Sequence, residues 1–193
     1  SKRFGFVRKA WLINASPAGC PVTLVDGIKN ILPYGVPSGL QAASSNLVDA
    51  YKRSELEPAS GLGIYALSAI ITDKAEPSEA LKANIAWSLG LERPLHLLSS
   101  LQLDSFRRNG EVAGETDIKG EKGAYFVSSS FELPAHGEKE WTIVADVNQN
   151  HAQIVALCHR IREEKELGAR IREDIDAGTR KLIQLVAGAD GLQ

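Results

Sequence analysis

Tyr51, Lys52 and Arg53 are the stretch of this sequence best equipped to hold a ligand. An aromatic ring stacks on the apolar face of a sugar, and adjacent bases donate hydrogen bonds to hydroxyls or phosphate. These three are substrate-binding candidates rather than catalytic ones, and the same residues also suit an ordinary exposed strand. The acids Asp49, Glu55, Glu57, Asp73, Glu76 and Glu79 could supply the paired carboxylates of glycoside hydrolysis. Nothing in their spacing brings two across a sugar ring, and Asp73 and Glu79 also suit turn and helix-cap positions.

Other reactive side chains form no constellation. His151 and His159 lie two helical turns apart, about 12 Å, too far to share one ion unaided. His96 falls beside an expected strand and His136 in a turn, with no partner nameable from sequence. Cys20 and Cys158 lie in separate contexts without a CxxC spacing, so no disulfide framework, metal site or cofactor is expected, and a reduced, cytoplasmic setting follows. Asn14-Ala15-Ser16 fits a glycosylation acceptor in form only, with Pro17 directly behind it. Nucleophile elbow, dinucleotide loop, P-loop and HExxH motifs are all missing. No catalytic residue is assigned.

The chain has 193 residues, 44% hydrophobic and 24% charged, which suffices for one core without covalent staples. A net charge of −2, with bases interleaved among acids, gives no face for nucleic acid. No apolar run reaches the ~20 residues of a membrane span.

Candidate residues need elements to position them, and the first two-thirds of the chain reads as β-structure. Phe4 to Asn14 suits a strand with Phe6, Trp11 and Ile13 inward, and Val22 to Val25 a second one. Asp26 to Gly35 reads as a compact loop or helical turn, and Leu40 to Ser45 as another helical turn. Leu47 to Leu56 alternates as a strand, with Tyr51 and Arg53 on one face and Lys52 on the other. Gly61 to Thr72, Ala80 to Leu89 and Leu95 to Ser99 suit strands, although Pro77-Ser78-Glu79 resembles a helix start. Leu101 to Arg108 suits a short helix ending at Asn109-Gly110, a hairpin signal. Glu111 to Gly123 reads as loop or weak hairpin. Tyr125 to Leu133 and Glu140 to Val147 form the clearest β pair, joined by a turn at Pro134 to Gly137. Trp11, Trp87 and Trp141 are expected to anchor the core.

After Asn150 the period changes. Ile154, Leu157, Cys158 and Ile161 make a helical stripe, continued by Leu167, Ile171, Ile175, Leu182, Leu185 and Val186. Strands first and helices last predict an antiparallel β-sandwich over 1–148 and a helical linker over 149–193. The stripe must be covered by the sheet or by further protein. Ser1 in place of Met, and the Gly188 to Gln193 ending, suggest a piece of a longer protein.

Phe6 to Asn14, Val25 to Pro33, Ile71 to Ala80, Trp87 and the closing helices before Ala189-Asp190-Gly191 together resemble the amino-terminal region of cellobiose-phosphorylase-like proteins. The resemblance is a diffuse pattern over most of the chain. It implies a supersandwich related in shape to galactose mutarotase, with helices leading to an (α/α)6 barrel that holds the catalytic acid beyond Gln193. The implied function is that of a non-catalytic segment of an enzyme acting on glycosidic bonds, by phosphorolysis or hydrolysis. Such a segment would shape the active-site rim or the interface of a homodimer, and would meet carbohydrate substrate through the parent enzyme. A stand-alone sugar-binding or assembly module is the alternative, and a mutarotase-like epimerase using a His and an acid is a weaker one.

Overall fold

The computed structural model describes residues 1–71 and 80–190. Asp73, Glu76, Glu79 and the Pro77-Ser78-Glu79 helix start lie outside the described residues. In chain order the elements are β1 (Phe6–Ile13), β2 (Cys20–Ile31), α1 (Ser38–Ala43), α2 (Ser45–Ala50), β3 (Lys52–Glu57), β4 (Leu62–Leu67) and β5 (Lys82–Leu89). There follow β6 (Leu95–Leu97), α3 (Leu103–Asn109), β7 (Asp117–Lys119), β8 (Gly123–Leu133), β9 (Glu138–Asn150), α4 (His151–Glu163) and α5 (Leu167–Asp190).

Two antiparallel sheets pack face to face, as the sequence predicts. The larger has strand order β1-β9-β5-β4-β3-β7, the smaller β2-β8-β6. The expected β8–β9 hairpin is not one. β8 pairs with β2 and β6, β9 with β1 and β5, and the four-residue turn between them crosses from one sheet to the other. The segment from β1 to β2 makes the same crossing beside it. Asn14 ties the two corners together: its Nδ2 lies 2.8, 3.2 and 2.9 Å from the carbonyls of Ala18, Leu133 and Pro134, and its N–H donates to Gly137 O at 2.9 Å. That amide is buried and engaged, which accounts for Asn14 without a glycan.

Strand alternation gives the larger sheet two covered faces. On one, Leu62, Ile85, Trp87 and Val144 pack with Phe4 beneath Cys158, Leu167 and Ile171 of the helices. On the other, Tyr65, Ala86 and Ile143 meet Tyr125 and Val127 of the smaller sheet. The two tyrosine hydroxyls in this second core are satisfied by backbone, Tyr65 donating to Ala124 O and Tyr125 to Gly61 O, each at 2.7 Å. Burial drives both phenols well above their ordinary pKa, so they stay neutral donors.

Several local expectations are corrected. Asp26 to Ile31 is strand rather than loop. Gly27 lets β2 close on β8, since a Cβ there would fall 2.1 Å from Tyr125 O. Asn109-Gly110 closes no hairpin; Gly110, at φ 72°, is the left-handed C-cap of α3. Leu47 to Leu56 is not one strand: α2 holds Ser45–Ala50 and β3 begins only at Lys52. Of the inward candidates, Phe6, Trp11 and Ile13 are all more than half exposed. Trp87 and Trp141 are buried as expected, and Trp11, 62% exposed, is not.

Trp87→Ala should cost about 3–5 kcal/mol of unfolding free energy, the range for emptying a packed aromatic site. Urea denaturation followed by far-UV circular dichroism measures it.

Candidate interaction surface

The proposed sugar triad does not converge. Tyr51 ends α2, and Lys52 and Arg53 point to opposite faces of β3. Lys52 is 3% exposed, and its ammonium donates to Asp49 Oδ1 and Gln41 Oε1, both at 2.6 Å. This buried pair ties α1 and α2 to β3, and a small polar cavity of about 170 Å³ opens beside it between Asn30, Gln41 and Lys122. Arg53 lies on the outer face, its Nε donating to Asp117 at 3.2 Å and its Nη2 2.9 Å from Glu55. Asp117 is held below the usual carboxylate range first by its hydrogen bond from Arg53.

The histidines assemble no acid–base site. His96 faces the inter-sheet core with its ring centroid 5.7 Å from that of Tyr125, and burial lowers its pKa below the ordinary imidazole value. Among the described residues the one His–carboxylate contact is His159 Nδ1 to Glu163, 3.0 Å apart on an exposed face of α4. No group of three or more His, Cys, Asp or Glu side chains among the described residues is placed to hold a metal.

What the fold leaves unfinished is apolar. The stripe of α4 and the first half of α5 is covered: Ile154, Leu157, Ile161, Leu167, Ile171 and Ile175 all pack on the sheet. From residue 176 to 189 every residue of α5 is exposed, including Leu182, Ile183, Leu185 and Val186. At 100° per residue Leu182 and Val186 fall within about 20° of Ile175, so the exposed ridge continues the buried one. Fourteen residues span about 21 Å at 1.5 Å each. An uncovered stretch of that length, carrying Gly178, Thr179 and Gly188, is a poor helix former in water.

Polar contacts also tie the two helices to the rest of the sandwich. Arg162, at the end of α4, lies close enough to Glu57 at the β3–β4 turn to help lower its pKa, although the Ser60 hydroxyl bond to that carboxylate contributes most. On α5 the Asp174 carboxylate accepts hydrogen bonds from Ser1 Oγ and from the N–H groups of Lys2 and Arg3 at 3.1 and 3.2 Å. At the hinge between the helices, Glu164 accepts from Arg160 and Arg170. Sequence periodicity found the stripe; the point where the sheet ends beneath it depends on strand order, which periodicity does not encode.

No protein-family model and no curated protein matches this chain. No helix among the described residues is long and apolar enough to cross a membrane.

Two measurements check this account. Asp49→Ala, which strands the buried Lys52 ammonium, should cost about 3 kcal/mol, whereas Arg53→Ala should stay within about 1 kcal/mol; urea titration separates them. The Asp174 carboxyl is held below its ordinary value of 3.8, first by Ser1 and then by the Arg3 amide. Its contribution is therefore complete at neutral pH and is lost as pH falls through the lowered value. The protection factor of the Arg3 amide, its exchange relative to an unstructured peptide at the same pH, should fall in that acidic window, and Asp174→Asn should remove that fall.

Proposed function

We propose that this chain is the non-catalytic β-sandwich segment of a carbohydrate-active enzyme that acts on glycosidic bonds, and that its own task is docking. The carbohydrate part rests on the resemblance of Phe6 to Asn14, Val25 to Pro33 and the closing helices to cellobiose-phosphorylase-like proteins. The docking part rests on one observation: the uncovered apolar half of α5, continuous with the half that is buried. Water-exposed Leu182, Leu185 and Val186 on a single ridge represent several kcal/mol of unrealised burial at about 25 cal/mol per Å². Contiguous apolar surface of this kind marks a protein interface.

Tyr51, Lys52 and Arg53 are spent on internal pairing or lie apart, which supports docking over direct sugar binding. Two unpaired cysteines suit the reduced, cytoplasmic setting of such an enzyme. The segment would meet substrate only through its parent, by bordering the (α/α)6 barrel that the resemblance implies. The purified chain, incubated with β-linked glucosides with and without orthophosphate, should release neither glucose 1-phosphate nor reducing sugar. Turnover that survives repurification overturns the non-catalytic reading.

A further inference from the structure

The small polar cavity beside Lys52 is furnished with hydrogen-bond donors from four separate parts of the chain. Asn30 comes from the end of β2, Gln41 from α1, Lys52 from the start of β3 and Lys122 from the turn before β8. Among the described residues no carboxylate lines it. Lys52 alone of the lining residues is buried, while Asn30 and Lys122 stand exposed at the mouth.

We propose, independently of the docking reading above, that this cavity holds a phosphate group. It enters either as inorganic phosphate or as the terminal group of a small phosphomonoester.

Donors are left over where the ligand would sit. An ammonium carries three protons. Lys52 gives one to Asp49 Oδ1 and one to Gln41 Oε1, and the third has no protein acceptor among the described residues. A proton on a buried charge needs one. The same bond orients Gln41: with its oxygen on Lys52, the amide nitrogen is the free end, and it too lacks a protein acceptor among those residues. Charge points the same way. Asp49 neutralises one of the two ammoniums, which leaves one positive charge over the cavity. Shape is built in as well. Lys29 pairs with Ala124 and Ile31 with Gly123, so Asn30, at φ 58°, is the extra residue of a bulge. The turn that carries Lys122 is tied to β3 by the Gly120 N–H, which donates to Lys52 O at 3.0 Å. Bulge and turn together hold an amide and a second ammonium above the buried one. The volume of about 170 Å³ equals that of about five or six waters at ~30 Å³ each. That admits one tetrahedral oxyanion and leaves the remainder of any ester in solvent. Donors arriving from four directions suit a tetrahedral anion better than a planar carboxylate, and lysine binds phosphate as a point charge.

The test uses the whole chain at neutral pH and constant low ionic strength, because salt screens exposed charges. Calorimetric titration with sodium phosphate should give a dissociation constant of about 1 mM or tighter, and backbone amide NMR shifts should move at Asn30, Gln41 and Lys122. Gln41→Glu keeps an acceptor for Lys52 but sets a carboxylate where the free amide stood. It should weaken phosphate binding by roughly tenfold or more, with an unchanged circular dichroism spectrum. Lys122→Ala should weaken it roughly threefold, and Lys119→Ala, outside the cavity, should leave it unchanged. Glycerol 3-phosphate separates the two sources: binding tighter than inorganic phosphate marks a phosphomonoester as the ligand, and weaker binding marks the free ion. No saturation by about 10 mM phosphate, acetate binding as tightly as phosphate, or indifference to both Gln41→Glu and Lys122→Ala overturns the site. Should Gln41→Glu fail to fold, Lys122→Ala and the amide shifts decide alone.

Discussion

The larger sheet is a layer that water must not reach on either side, and the rest of the molecule is arranged around that constraint. Strands β4, β5 and β9 put large side chains on both faces, Trp87 and Val144 toward the helices and Tyr65 and Ile143 toward the second sheet. An antiparallel sheet with one wet face has no need of a helical layer; this one does. Helices α4 and α5 are therefore part of the core and not merely an extension of it. The boundary of that cover explains the surface: where the helices stop, at the far end of β1, Trp11 and Ile13 stand in solvent.

The layer order was legible in the sequence because each cue was local. Runs of β-branched and aromatic residues between turn signals marked β1, β5, β8 and β9, and the 3.6-residue stripe marked both helices. Errors arose where one chemical preference serves two structures. Gly110 takes a left-handed conformation equally well in a hairpin and at a helix end. Gly27 and Asn30 look like loop residues, yet one permits close strand packing and the other, at φ 58°, sits at the irregularity in β2. The β8–β9 turn is short enough for a hairpin, and only the burial of both flanking strands in different sheets makes it a crossover.

Site residues were harder to read for the same reason. Tyr51, Lys52 and Arg53 look like a binding cluster in a linear string, but a strand sends neighbours to opposite faces. Lys52 lies inward and is held by Asp49 and Gln41 from two short helices whose position no spacing rule supplies. The buried carboxylate of Glu115 is a further case. It accepts from the N–H groups of Leu98 and Ser99, from the Ser99 hydroxyl and from Gln102, and so fastens the loop before β7 to the end of β6. A lone Glu in a Gly-rich stretch carries no sign of that role.

The pairing of β1 with β9 joins the first of the described strands to the last of them, and Asp174 of α5 binds the residues just before β1. On a growing polypeptide Phe6 to Ile13 has no strand to pair with until Glu138 to Asn150 has emerged. Sandwich closure is thus a late event of high contact order, slow by the standards of a chain this size. In that interval the apolar side chains of Phe6, Val7, Trp11, Leu12 and Ile13 stand on an unpaired strand, the kind of surface that chaperones shield.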